Sequence, residues 1–442
     1  MKAIIKKILL NLAGWLIQTP LYKLFIIAAV RSVFFFQKYE DNDTKKSILI
    51  LNHERFSHDL EALCLDKRVK LLILPSRIQT LLNSLFLNSN FSYQVNSYQN
   101  KKNETKKLVR FVVEFINKLN EKYNLCGIVT CSFYYRQDFP YQFASLKTPV
   151  PFYVIFKEYM KDESVVEHTI KNYKKKKFKF VGEKIFSANK NIEKILLESG
   201  VCQKSKISLV GSPRFDNIFK SNIYSNKYNK NKHTKKVVTF FSFLHSSGSI
   251  ELNGSNKFFS DNGDGYYKLF RDVHKSVAEL AVDNKDVQFI IKTKWGGIWF
   301  DKIVSSVLSA TGIDILHQPN ITLLSEGNTQ ELIMKSSLVI AFNSTTVLES
   351  GLLGKNIIIP VYNEAKDKYY ESNLFFKKYL DSLIIASSNK DLKDKVIKYL
   401  FDHKHYPLPK KMIKDFLIFY DGKSSKRILD IILQKEEKID KK

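Results

Sequence analysis

The chain is 442 residues long and sets 71 Lys and Arg against 44 Asp and Glu, a formal charge of +27. With 44% hydrophobic and 13% aromatic residues it is too apolar to be disordered or linker-like, and at about 100–200 residues per domain it has room for two or three domains. No internal repeat is visible, which sets aside solenoids and propellers. Only nine of the basic residues are Arg, the side chain best suited to reading bases and gripping phosphates bidentately. The charge therefore reads as attraction to an anionic membrane surface or to nucleotide-linked substrates, with no nucleic acid as partner. The four cysteines, Cys64, Cys126, Cys131 and Cys202, match no zinc spacing and read as reduced, buried thiols.

In chain order, residues 1–40 come first. Lys2, Lys6 and Lys7 precede an apolar run that no small-residue cleavage site closes. Its longest uncharged piece, Ile8 to Tyr22, holds 15 residues and contains Pro20, and Lys23 and Arg31 interrupt the next. About 20 uninterrupted apolar residues are needed to span a bilayer. The segment reads either as two amphipathic helices lying in the membrane interface, with Trp15 and Tyr22 at headgroup depth, or as a pair of ordinary core helices.

From Lys45 short β-branched runs alternate with helical stretches. KSILILN (46–52), VKLLILP (69–75), CGIVTCS (126–132) and VPFYVIF (150–156) are strand candidates, and Glu104–Tyr123 has the period of an amphipathic helix. Residues 178–200 read strand, turn and helix, stopping at Gly200, and KISLVGSPRFD (206–216) is a strand running into a turn. The polar, Lys-rich stretch 221–236 is the best linker. A second α/β run follows, with strands at 237–244, 287–294, 321–325, 337–343 and 356–362, closed by a helical segment near 411–434. Strands alternating with helices imply two doubly wound parallel sheets. The expected domains are an amphipathic segment 1–40, Rossmann-like domains 41–225 and 226–410, and a C-terminal helix with a basic tail, 411–442. Ligands of such sheets sit at the carboxyl ends of the strands, here in a cleft between the halves.

Ser337–Pro360 is the most informative stretch: strand, small polar loop, helix, Gly-containing turn, strand. Asn343, Ser344, Thr345 and Thr346 offer backbone N–H groups and hydroxyls suited to a diphosphate or phosphodiester. Glu349 lies one turn further, either as a carboxylate for two ribose hydroxyls or as the partner of Thr346 in a capping box. Thr346-Val347-Leu348-Glu349 with Gly354 and Pro360 resembles the donor-nucleotide segment of GT-B glycosyltransferases. Leu209-Val210-Gly211-Ser212-Pro213-Arg214-Phe215-Asp216 is similar to an element of CDP-glycerol glycerophosphotransferases and of bacterial surface-polysaccharide transferases. Phe289–Lys294 is similar to a further element of those families, which carries Lys-x-His-Pro; Lys292 matches, while Lys294 and Trp295 replace His-Pro. The three matches cover about residues 150–362.

The resemblance implies two Rossmann-like domains of GT-B type and an enzyme moving a sugar or polyol phosphate from a nucleotide-activated donor to a glycan or lipid-linked acceptor. Such an enzyme would work without a metal or other cofactor, at the inner face of the cytoplasmic membrane. By that resemblance Thr346 contacts phosphate and Glu349 binds ribose, with Lys292 and Lys294 as neutralising charge. Arg214 either holds a phosphate or sugar carboxylate or pairs with Asp216. His245, at a strand end, is placed to assist the leaving group. In the first half His53, Asp59 and Glu158 are the candidate bases, Asp59 being equally suited to capping the helix that follows. The rival readings are a sugar-nucleotide epimerase of the same fold and a non-catalytic membrane-associated scaffold.

Overall fold

The computed structural model describes residues 19, 22–37, 46–87, 102–220, 235–244, 265–294, 296–371, 373–402 and 404–439. The chain divides into two compact units. Met1–Tyr159, Val166–Phe219 and Leu417–Lys442 form the first; Met160–Val165 and Lys220–Phe416 form the second.

The first unit is built on a sheet of seven strands: β1 (Phe34–Phe35), β2 (Lys46–Ile50), β3 (Val69–Ile73), β4 (Leu125–Thr130), β5 (Phe152–Ile155), β6 (Lys184–Ser187) and β7 (Ile207–Leu209). Their order is β1-β3-β2-β4-β5-β6-β7. All neighbours pair in parallel except the two-residue β1, which runs antiparallel to β3 through Phe34↔Ile73 and Phe35↔Leu72. β3, β4 and β5 are buried along their whole length, as strands covered on both faces must be, which is why they read as continuous apolar runs.

The GSPRFD turn after β7 shows why those residues stand there. Gly211 has φ +88°, and a Cβ on it would lie 2.5 Å from Ser424 Oγ, so both backbone and space demand glycine. Asp216 is buried, and its carboxylate accepts hydrogen bonds from Ser424 N (2.9 Å), Ser425 N (2.7 Å) and Ser425 Oγ (2.7 Å). It therefore caps the helix Ser424–Ile439 across 208 residues. Ile428, Leu429 and Ile432 of that helix share a core with Ile48, Ile50, Leu60 and Ile73. The expected segment 411–442 is thus not one piece. Lys410–Phe416 forms a helix in the second unit, whereas Leu417 onward belongs to the first, beginning with Ile418 N donating to Ala188 O.

Of the amino-terminal segment the described part is the helix Tyr22–Ser32, with Ile26 and Ala29 buried and Tyr22 Oη donating to Glu114 at 2.8 Å. Leu24, Ile27 and Phe34 stay exposed. No described helix is long and apolar enough to cross a membrane. The expectation of interfacial helices over residues 1–18, and that of a linker over 221–234, lie outside the described residues.

Among its described residues the second unit holds six parallel strands: β8 (Val237–Phe241), β9 (Gln288–Lys292), β10 (Ile321–Leu324), β11 (Leu338–Ala341), β12 (Asn356–Pro360) and β13 (Ile384–Ala386). Their order is β10-β9-β8-β11-β12-β13. Among its parallel strands each sheet reverses its chain order once, between β2 and β4 in the first and between β8 and β11 in the second. At such a reversal the loops leaving neighbouring strands diverge, opening a crevice at the carboxyl ends.

Candidate functional site

In the second unit the reversal is lined on one side by the loop after β11. Asn343 takes a left-handed conformation, φ +46°. Its amide Nδ2 donates to Asn373 O at 3.0 Å and its Oδ1 accepts from Phe375 N at 2.9 Å, which ties residues 373–375 to the strand end. Ser344 Oγ accepts from Thr346 N at 3.3 Å. The helix Thr346–Leu352 starts with Thr345 as its cap, and no side chain accepts a capping hydrogen bond there. Of the two readings of Glu349, the capping box with Thr346 is absent: with Thr345 as cap, Glu349 is the fourth helical residue, one position beyond where a box needs it. Glu349 is 1% exposed, with Gln330 Nε2 at 3.5 Å from its Oε2. Thr346 Oγ1 and Ser350 Oγ, one turn apart, are buried with no hydrogen-bond partner among the described residues.

Across the reversal, Ser242 follows β8. His274, fully buried against Phe240, Phe243 and Phe270, meets Ser242 Oγ at 2.9 Å with Nε2 and Phe270 O at 2.6 Å with Nδ1. A carbonyl only accepts, so Nδ1 carries the proton and Nε2 accepts from the serine. Burial holds this imidazole neutral, its pKa pushed down to about 4. Lys292 closes β9 and donates to Thr293 O (3.1 Å) and Ser325 O (3.0 Å), joining the ends of β9 and β10; burial lowers its pKa. Lys294 lies past the end of β9 and is exposed. His245 lies outside the described residues.

The first unit's reversal holds a buried carboxyl that sequence reading missed. Asp138 is fully buried, and Asn52 Nδ2 lies 2.7 and 2.9 Å from its two oxygens. Thr130 Oγ1 donates to it at 2.7 Å and Gln79 Nε2 at 3.3 Å. Asn52, with φ +54° at the end of β2, also accepts from Gln137 Nε2 at 2.7 Å, while its backbone N–H donates to Gln79 Oε1 at 3.1 Å. Burial pushes the Asp138 carboxyl up to about 7, against the donors that favour its charged form. Cys131, beside it at the end of β4, is pushed up to about 12 by burial and is an inert thiol.

Beyond this network lie the ends of β2, β4 and β5. The Arg55 guanidinium stands 4.8 Å from the centre of the Tyr135 ring and Lys157 Nζ 5.8 Å from it. Lys157 also donates to Arg55 O at 3.3 Å. Glu158, a candidate base, is 3.8 Å from Lys157 Nζ and receives Tyr135 Oη at 3.5 Å. His53, another candidate, is partly exposed; its Nδ1 makes no hydrogen bond and lies 3.6 Å from Glu54 Oε2. Asp59 is buried and accepts the backbone N–H of Arg214 at 3.1 Å, so it braces the GSPRFD turn and does not face solvent as a base. The Asp216 carboxylate belongs to the helix cap described above, away from the pairing with Arg214 that the sequence offered. Among the described residues no group of three or more His, Cys, Asp and Glu could hold a metal ion.

No family model matches this chain, and no curated protein matches it. A putative UDP-N-acetylglucosamine 2-epimerase from Listeria monocytogenes aligns with 89% of this chain and 98% of its own at 12% identity and TM-score 0.50. HepE of Anabaena, solved with UDP and glucose, aligns over 89% and 99% at 12% identity and TM-score 0.44. The wall teichoic acid polymerase TagF aligns over 73% and 76% at 16% identity and TM-score 0.42. The epimerase likeness shows the fold, which is the two-unit α/β fold of GT-B enzymes.

Proposed function

We propose that the protein transfers a sugar or polyol phosphate from a nucleotide-activated donor to a glycan or lipid-linked acceptor. The observation that carries this reading is the reversal between β8 and β11. There Thr346 Oγ1 is buried without a partner beside a polar loop, and the Glu349 carboxylate follows within one turn. A diphosphate in that crevice would receive the Thr346 hydroxyl and the Lys292 ammonium, and Glu349 would accept from the ribose hydroxyls. In the transfer of a sugar, an acceptor hydroxyl attacks the anomeric carbon and the bond to the diphosphate oxygen breaks. The nucleoside diphosphate leaves with the bonding pair, and the hydroxyl proton passes to a general base. Charge growing on the leaving diphosphate is what fixed N–H, hydroxyl and ammonium groups stabilise. The exposed Lys23, Leu24, Ile27 and Arg31 on the helix Tyr22–Ser32 support contact with the cytoplasmic face of a membrane.

The test is thermal unfolding of the purified protein with CMP, CDP, UDP, GDP and TDP. A nucleotide at 100 times its Kd stabilises by about 2.7 kcal/mol. A selective shift that is lost in Glu349→Ala supports the donor site and names the base; no shift with any nucleotide removes it. Supplied with the matching sugar nucleotide, a transferase releases nucleoside diphosphate only when acceptor is present. An epimerase returns an isomerised sugar nucleotide without one.

A further inference from the structure

The first unit carries a cationic cluster that donor binding does not use. Arg55 and Lys157 gather on the single ring of Tyr135, from the loops after β2 and β5. Among the described residues Arg55 forms no ion pair, and Lys157 faces one carboxylate, the partly exposed Glu158 at 3.8 Å. Of the other carboxyls of this neighbourhood, Asp138 is enclosed by Asn52, Thr130 and Gln79 and is turned away from solvent, and Glu54, on the turn of Arg55, accepts from Ser76 Oγ and lies 3.6 Å from His53 Nδ1. Two cations are thus held together with one ion pair between them, that of Lys157 with Glu158, at the strand ends beside the sheet's reversal. Both are anchored: Arg55 by the ring, and Lys157 by its hydrogen bond to Arg55 O. His53, on the same 3-10 turn as Arg55, adds a ring nitrogen that makes no hydrogen bond.

We propose that Arg55 and Lys157, set on Tyr135, form a binding site for a phosphate ester in the first unit, and that this phosphate belongs to the acceptor. A phosphate monoester carries nearly two negative charges. The planar guanidinium fork can take two of its oxygens and the lysine, as a point charge, a third. The part that names the acceptor rests on the transferase reading; the anion site itself does not.

The experiment is calorimetric titration of the full chain with glycerol 3-phosphate, inorganic phosphate and acetate. Glycerol 3-phosphate should bind, and Arg55→Gln and Lys157→Gln should each weaken it by about tenfold, the loss expected for a hydrogen bond to a charged group. Lys118→Gln, on the exposed face of the helix Lys102–Tyr123, should leave it unchanged. Lys157→Gln serves if Arg55→Gln does not fold. Binding that is absent from the wild type, or equal in the wild type and both variants, overturns the site. Acetate binding as tightly as the ester overturns its phosphate class, and inorganic phosphate binding as tightly as the ester overturns the acceptor assignment. Nucleotide-induced thermal stabilisation that persists in Arg55→Gln shows that the two sites are separate. Arg55-dependent phosphate binding without any nucleotide response keeps this site and removes the donor reading.

Discussion

Asn52 and Asn343 stand on opposite sides of their sheets' reversals, Asn52 after β2, the strand that comes first in the chain, and Asn343 after β11, the strand reached by crossing over; both are in left-handed backbone conformation. Their amides are tied down differently. Asn52 holds a buried titratable carboxyl, Asp138, inside a closed set of side chains. Asn343 holds only backbone, the carbonyl of Asn373 and the N–H of Phe375. The first reversal is therefore closed in on itself and presents its charged groups further out, on Tyr135. The second leaves a polar loop with a hydroxyl unengaged.

Replacing each asparagine by glycine keeps the left-handed backbone accessible and removes only the amide. In Asn52→Gly the buried Asp138 loses the donor that reaches both its oxygens and Gln137 loses its acceptor, so unfolding in urea should show a loss of about 3 kcal/mol. Asn343→Gly breaks two hydrogen bonds to a partly buried loop that water can replace, and should cost about half as much. Equal losses would break the distinction between the two reversals.

Acidity separates the units further. The Asp138 carboxyl, pushed up to about 7, holds its proton more tightly folded than unfolded. Its contribution to stability is complete below about pH 4 and is lost as pH rises through 7. His274, pushed down to about 4, holds its proton less tightly folded than unfolded. Its contribution is complete above about pH 6.5 and is lost as pH falls toward 4. Between these limits the two groups oppose each other. In a series of Tm values from pH 4.5 to 7.5, Asp138→Asn should make stability rise more steeply with pH than in the wild type. His274→Gln should make it fall more steeply. Two variants that tilt the profile the same way would show that some other group governs it.

These two groups also mark where sequence reading stopped. The parallel strands were legible because buried strands are apolar runs, and eleven runs chosen from the sequence correspond to β2–β12, with β6 and β7 read from the segments 178–200 and 206–216. β1 and β13, two and three residues long, give no periodic signal. The split of 411–442 between units depends on Asp216 capping a helix 208 residues away, a pairing no local pattern announces. Asn52 and Arg55 share the stretch NHERFSHD (52–59) with His53 and Asp59, whose residue types suggest bases; the left-handed turn that aims Asn52 at Asp138 is not visible in residue types. Asp138 follows its strand by eight residues, just before a helix with proline in its first turn, where an acid reads as an ordinary helix start. His274 sits on the apolar face of an amphipathic helix and looks like core until Ser242 is seen against it.

The finest comparison is within the second reversal, between the two unpartnered hydroxyls. Thr346→Val keeps the shape of the side chain and removes a buried hydroxyl that bonds nothing among the described residues. Stability should stay within about 0.5 kcal/mol of the wild type or rise, since no hydrogen bond is lost and a desolvated polar atom disappears. Ser350→Ala, one turn further along the helix, should behave alike. The two part only when nucleotide is added. If Thr346 Oγ1 is kept free for a phosphate, Thr346→Val should lose about tenfold in nucleotide affinity, the value of a hydrogen bond to a charged oxygen, while Ser350→Ala keeps the wild-type thermal shift. A Thr346→Val protein of unchanged stability and unchanged nucleotide response would make both hydroxyls incidental to packing and would move the donor site away from the start of this helix.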